Sequence, residues 1–493
     1  MDTPLNADGR FRARISLLMQ AIGWSTLACS TVSFLLTWDI VVLVSSIWLG
    51  ILPIIWPRRE ADVSKLFVLL HPSLLYTGTT WLYALSTLNL PLEGFVNAGL
   101  AFTIAAVYQA AIFSAYLLSK LLPIGRDTVV TDLRSPLPRA RRAWLLTAFG
   151  SSLYVVAAIS EAAKGYSPVA ATIFFVGLGY LIVSRKNIGW IVLISLAFVF
   201  TISLTTNERT GIFLTLFFWA VVFAYRMPHI FTLRNAALLV VAFGALNWVT
   251  YSFITARTDV AEGNAQEPLT RTVEVAFSPL GLTRLIPFWP QDEEVSSFSA
   301  RSGRYYSLFL RANSDQSENF TTAGRFALLA HMDIATGRLG LVDHVDWNEL
   351  GLLVPSALPD FGQRKNLIYS DQVIWGLGLR PKETVARPLI TVAGEFYSLG
   401  GLAVLFFASM AVFFVVFLEL SILRKILGYN FIYVTASLTV IYSITFTGTA
   451  LGSVLIVFRY LPILLIFLTL VTTWITKRRY QLGPVPGRGV ADR

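Results

Sequence analysis

The chain has one cysteine, four histidines and few charges, with Asp, Glu, Lys and Arg together making up only 14% of its 493 residues. A lone cysteine, Cys29, excludes an intrachain disulfide, so any segment outside a membrane must be held by packing, and no redox compartment can be read. No HExxH, no CxxC and no His/Asp cluster at ligand spacing occurs, which argues against a dedicated metal site or other bound cofactor. Nothing resembles a nucleotide-binding phosphate loop. So little charge over so long a chain also excludes an ordinary soluble two-domain protein.

What is present is apolar: 55% of residues are hydrophobic and the mean hydropathy is +0.64. A bilayer is crossed by about 20 apolar residues in a helix. Candidate spans are 15–36, 39–56, 66–88, 95–119, 143–161, 168–184, 188–205, 211–225, 235–255, 388–418, 430–447 and 452–475, of which 168–184 and 211–225 are short. The first is too long for a signal-peptide core and no small-residue cleavage site follows it, so it reads as an uncleaved anchor with the N-terminus mature as written. The expected fold class is therefore an all-α polytopic membrane protein with about 12 transmembrane helices. Its organisation is nine spans over 1–255, a large polar loop over 256–387, three spans over 388–476 and a tail over 477–493.

A net charge of +10 would suit a nucleic-acid partner, but its distribution argues otherwise. The loop holds 13 Lys and Arg against 16 Asp and Glu, leaving 26 basic and 13 acidic residues elsewhere. That basic excess gathers at Arg10, Arg12 and Arg14, at Arg58 and Arg59, along 126–142, at Arg185 and Lys186, at Arg226 and Arg234, at Arg424 and Lys425, and along 477–479. Each cluster follows an even number of spans, the positive-inside pattern, which puts both termini in the cytoplasm and the loop on the outer side. Amphipathic stretches at 268–286 and 321–341 are expected as short helices on the membrane face. With two prolines and a glycine, 355–365 reads as an irregular turn ending in Arg364 and Lys365.

Several residues near the loop's ends carry charge into places where charge is costly. Arg209 lies in the segment Thr206 to Gly211, at the outer start of a span, where a helix N-terminus attracts anions and a guanidinium forks onto phosphate oxygens. An ordinary interfacial arginine on lipid headgroups is the equal alternative. Arg257, just past the ninth span, and Arg387, before Pro388 at the opening of the tenth, are placed similarly. Glu395 and Arg459 each sit roughly 10 Å inside the outer end of a span. A charge at that depth faces a partner or a wet cavity, so the two are expected to approach one another or line one polar cavity, a structural ion pair being the bland version. His331, and with it His344, has a ring that can accept a proton near neutral pH, against the reading of surface or packing histidines.

Three segments resemble a known family. Thr206 to Gly211 with Arg209, the irregular Pro355 to Lys365, and Gly394-Glu395-Phe396-Tyr397-Ser398-Leu399-Gly400-Gly401 resemble the motifs of Wzy-type polymerases of lipid-linked oligosaccharide repeat units, relatives of the O-antigen ligases. The resemblance implies a GT-C-like fold in a bacterial inner membrane, with a large periplasmic loop containing short helices. It implies transfer of a growing glycan from undecaprenyl pyrophosphate to the non-reducing-end hydroxyl of an incoming lipid-linked unit. The partners it implies are undecaprenyl-pyrophosphate-linked oligosaccharide as donor and acceptor, membrane lipids and a chain-length regulator protein, with no cofactor and no nucleic acid. Under it, Glu395, His331 and Glu208 are candidates for the base, and Arg209, Arg257, Arg387, Arg459, Arg364 and Lys365 for the pyrophosphate. An O-antigen ligase, differing only in acceptor, and a lipid-linked sugar transporter or flippase are the competing readings. The long loop and the lack of paired halves weigh against transport.

Overall fold

A computed structural model describes residues 4–81, 97–123, 140–160, 166–184, 189–206, 210–226, 268–283, 328–333, 391–428, 431–446 and 456–476, with single positions at 92, 95, 241, 244–245, 248–249, 251–252, 256, 285, 336 and 454. Among them every regular element is a helix. In chain order these are α1 (Pro4–Thr37), α2 (Ile40–Ile55), α3 (Val63–Pro72), α4 (Ala98–Leu121), α5 (Ala140–Ile159), α6 (Ser167–Ser184), α7 (Gly189–Thr206), α8 (Thr210–Arg226), α9 (Pro268–Ala276), α10 (Pro279–Thr283), α11 (Leu328–Asp333), α12 (Val392–Leu427), α13 (Phe431–Phe446) and α14 (Leu461–Thr476).

Among the described residues five helical stretches are long and apolar enough to cross a membrane: Phe11–Leu35, Ile40–Arg58, Ala98–Leu121, Arg142–Ile159 and Val392–Leu427. The apolar cores of α6, α7, α8, α13 and α14 are shorter. The span expected over 235–255 lies mostly outside the described residues, as does most of the loop and the tail. The helix expected over 388–418 instead opens at Val392 and runs on to Leu427, where Gly428 at φ 73° donates its N–H to the Arg424 carbonyl and closes it. It continues past the apolar run because Arg424 has a buried acceptor, described below.

Helix α12 packs along α4 and also touches α3, α13 and α14, while the α1–α2 pair leans on α4 through α2 and the α5–α6 pair leans on α13 through α6. Outward faces are apolar, as lipid contact demands: Leu17, Trp24 and Leu35 of α1, Val44 of α2, Leu193 and Ile194 of α7 and Phe407 of α12 are all exposed. Inside, aromatic rings interlock, with Tyr108 and Phe413 edge-on at 5.7 Å and Tyr116 and Phe417 at 5.4 Å, joining α4 to α12.

At the Lys120 end of α4 the links between spans carry a buried polar clasp. Asp62, wholly buried, caps α3 by accepting from the N–H groups of Ser64 at 2.9 Å and Lys65 at 3.4 Å. Its other oxygen accepts from the Tyr433 hydroxyl at 2.8 Å and lies 3.5 Å from the Arg424 guanidinium, tying α3 to α13 and α12. Burial pushes the Asp62 carboxyl above its usual range, against the Tyr433 hydrogen bond and the charges of Lys65 and Arg424. Glu60 accepts from the Asp62 N–H at 2.8 Å and from the Tyr116 hydroxyl, and pairs with Lys120 at 3.3 Å. Arg12 of α1 donates to the Glu60 carbonyl at 3.3 Å. One acidic link thus gathers α1, α3, α4, α12 and α13.

Asp62→Ala removes the cap and the carboxylate that Tyr433 and Arg424 share, and is expected to cost about 3–5 kcal/mol, as breaking a buried pair does. Glu274→Ala, which removes an exposed ion pair, is expected to stay within about 0.5 kcal/mol. Denaturant unfolding of the detergent-solubilised protein measures both.

Candidate active site

The other end of α4 is irregular, and the irregularity begins at Pro72. A proline inside a helix has no N–H and pushes away the carbonyl four residues back, here Val68. The chain responds with a π-turn over Ser73–Gly78. Side chains take up the displaced carbonyls. His71 Nδ1 donates to the Val68 carbonyl at 2.7 Å, and Gln109 Nε2 of α4 donates to the Leu69 carbonyl. Gln109 in turn accepts from the Ser73 hydroxyl at 3.2 Å, and Thr77 bonds Thr26 of α1 at 3.1 Å. Every one of these residues is buried.

Two other segments meet this turn. Helix α11, an outlying piece of the polar loop, packs on both the π-turn and α4 with Leu328, Leu329 and Met332 buried. Asp333 pins it, accepting from the Asn97 backbone N–H at 2.6 Å, while the Asn97 side chain caps α4 at Leu100 N–H, 3.3 Å away. From the opposite direction, the Tyr76 hydroxyl of the π-turn reaches Thr391 and the Ala393 backbone, where the loop ends and α12 begins.

That beginning is strained. Thr391 has φ 74° and ψ 153°, a region that β-branched residues avoid at a cost of about 1–3 kcal/mol. It is held there because its hydroxyl accepts from the Gly394 N–H at 3.1 Å and its carbonyl from the Glu395 N–H at 3.0 Å. The helix then runs only to Leu399. Gly401 at φ 68° and ψ −158° breaks it, a conformation that only glycine adopts freely, and the long segment of α12 starts afresh beyond. Val392 to Leu399 form a buried half-helix, and Glu395 within it is 0% exposed.

The structure therefore brings two of the sequence-derived candidates to one end of the bundle: Glu395 on the half-helix that Tyr76 of the π-turn reaches, and His331 on α11, which packs on the same π-turn. His331 is placed by its backbone alone; its side chain, like Glu208, Arg209, Arg257, His344, Arg364, Lys365 and Arg387, lies outside the described residues. Helix α8 opens at Thr210, directly after Arg209, as the motif reading expects. By contrast, α12 opens five residues after Arg387, not at Pro388.

Among the described residues no ion pair joins Glu395 and Arg459, the bland version of their expected approach. Arg459 lies on a second π-turn, Ile456–Tyr460, which packs on α12. Its guanidinium donates to the Tyr166 hydroxyl at 3.1 Å and sits 4.9 Å from the Tyr166 ring and 5.2 Å from that of Tyr460. Two aromatic faces and a hydroxyl hold the cation. Sequence reasoning missed Tyr76, Gln109, Asp333 and Thr391. The only advance signal was Pro72, a helix breaker beside a histidine inside an apolar run.

No protein-family model, curated protein or solved structure matches the chain.

If Thr391 is strained as its dihedrals indicate, Thr391→Gly keeps a tolerable cap, relieves the strain and leaves stability equal to or above that of the parent. Thr391→Ala loses the hydroxyl and is expected to cost about 1 kcal/mol. Equal losses for the two in an unfolding titration would remove the strain argument.

Proposed function

We propose that this chain is a twelve-span, GT-C-like glycosyltransferase of the bacterial inner membrane that polymerises undecaprenyl-pyrophosphate-linked oligosaccharide repeat units. Both termini face the cytoplasm and the large loop faces the periplasm. The observation that carries the reading is the half-helix at Thr391 to Leu399: a strained cap and a wholly buried carboxylate, at the point where the polar loop re-enters the bundle. Strain and buried charge concentrate where a protein prepares chemistry, and a loop helix docked on the π-turn that Tyr76 joins to this cap supports the same reading.

In this reading the donor's growing glycan is attached to the lipid pyrophosphate, and the acceptor is the non-reducing-end hydroxyl of an incoming lipid-linked unit. The hydroxyl oxygen attacks the anomeric carbon and forms the new glycosidic bond. The bond from that carbon to the pyrophosphate oxygen breaks, and its electron pair leaves on undecaprenyl pyrophosphate. The hydroxyl proton passes to a base, Glu395 or His331 ahead of Glu208. Arg209, Arg257 and Arg387, with Arg459, Arg364 and Lys365, spread the charge that develops on the leaving group. Among the described residues the Arg459 Nε has no hydrogen-bond partner, which leaves the guanidinium a donor to offer. Because Glu395 is sealed from solvent, the acceptor reaches it by a swing of the half-helix at Gly400–Gly401. A chain-length regulator and the surrounding lipids are the partners the reaction calls for.

Purified protein in liposomes, given a lipid-linked repeat unit alone, is expected to yield a ladder of lengthened products. Arg209→Ala and Arg257→Ala should abolish the ladder, Glu395→Gln should slow it by about 10²–10⁴-fold, and the cytoplasmic Arg185→Ala should leave it unchanged. Product only when lipid A core is added would make the chain a ligase. Translocation without lengthening would make it a flippase. Either outcome overturns the polymerase reading.

A further inference from the structure

Helix α9 has three faces, not two. At about 100° per residue, Thr272, Val275 and Ala276 share one sector, Arg271 and Glu274 a second, and Val273 and Phe277 a third, the sector centres lying about 120° apart. Residues of the first sector are buried: α9 packs on α7, and the Trp248 indole N–H donates to the Ala276 carbonyl at 2.7 Å. In the second, Arg271 and Glu274 form an ion pair at 3.0 Å with side chains 39% and 58% exposed. The third is apolar and open, with Val273 50% and Phe277 66% exposed. Phe277 still belongs to the helical turn, since its N–H donates to the Val273 carbonyl at 3.1 Å.

The apolar surface does not stop at Phe277. The Ser278 hydroxyl accepts from the Gly281 N–H at 3.0 Å and folds α10 back on α9. That fold requires glycine at 281, because a Cβ there would lie 2.0 Å from the Val275 carbonyl oxygen. Leu282 and Leu285 are thereby left 44% and 41% exposed beside Phe277 in sequence. Helix α7, the support of α9, itself leaves Leu193, Ile194 and Phe200 exposed, so the exposed apolar face of α9–α10 rests on a helix that also shows apolar side chains outward, as a lipid-facing helix does.

A helix lying over the bundle in water would need a buried face and a polar one. Three sectors match three media: protein, water and hydrocarbon. We infer that α9 and α10 form a foot seated in the headgroup–acyl boundary of the bilayer, with Val273, Phe277, Leu282 and Leu285 in the acyl region and the Arg271–Glu274 pair at the aqueous side. The occupant of this face is phospholipid. The polar loop then stands on the membrane from its first described helices onward. This inference depends on the chain spanning a membrane, and it is independent of the polymerase reading.

The test uses no activity. In a Cys29→Ser background, nitroxide labels are placed singly at Val273→Cys, Glu274→Cys, Phe277→Cys and Leu282→Cys. The full-length protein is reconstituted in phosphatidylethanolamine/phosphatidylglycerol nanodiscs, and collision with oxygen and with a water-soluble nickel chelate is measured by power saturation. Labels at 273, 277 and 282 are expected to favour oxygen strongly and the label at 274 the nickel chelate. If 273, 277 and 282 meet nickel as readily as 274, the face lies in water and the inference fails. If they are shielded from both reagents, protein covers the face, a second copy being the first candidate, and it fails equally.

Discussion

Inside a bilayer a backbone carbonyl has no water to turn to, so each break in a helix must be repaired by protein groups or it costs several kcal/mol. This constraint organises the structure. Pro72 breaks α3, and His71 and Gln109 take the carbonyls it displaces. Because Gln109 belongs to α4, the repair also fixes how α3 and α4 sit against each other. Thr391 does the same at the start of α12, holding the half-helix N–H groups from a conformation it would otherwise avoid. Breaks are tolerated only where neighbouring helices can supply the missing partners, and that is where the polar loop docks.

The two ends of α4 consequently differ in kind. At the Lys120 end, Glu60 and Asp62 draw together five helices through charge-assisted bonds, with regular helix starts and ends around them. At the Asn97 end lie a π-turn, a strained cap and a diglycine break, and the loop helix α11 packs on the π-turn and α4 with Leu329 and Met332 buried and Asp333 bonded to the Asn97 N–H. A chain without a disulfide holds this piece of its polar loop by packing against the π-turn and α4 and by the Asp333 bond. The second end also carries the Gly400–Gly401 break, with the buried Glu395 on the short helical piece before it.

Hydropathy alone locates the spans well where helices are regular, as for α1, α2, α4 and α5, because composition decides whether a segment enters lipid. It fails at boundaries and interruptions. The extent of α12 depends on Asp62, more than 300 positions away in sequence, which no local pattern reveals. Pro72 and Gly400–Gly401 are plain in the sequence, yet whether such residues kink, break or form a π-turn depends on which neighbours can satisfy the backbone. Depth in the membrane flagged Glu395 and Arg459 as costly, but cost does not name a partner, and Arg459 takes Tyr166 and Tyr460. Asp62 was passed over because charges between spans read as topology signals. The amphipathic pattern at 268–286 found α9 and α10, although periodicity could not separate the water-facing from the lipid-facing part of the exposed surface.

Tyr76 and its π-turn form the joint between the docked loop helix and the half-helix that carries Glu395. Hydrogen–deuterium exchange of the Tyr76→Phe variant in nanodiscs examines that joint directly, because the substitution removes one hydroxyl and leaves the ring. Amides in Leu328–Asp333 and in 392–399 should both exchange faster than in the parent, while 402–427 should be unchanged. Faster exchange confined to the π-turn itself, or spread evenly along α12, would contradict the joint and with it the proposed swing at Gly400–Gly401.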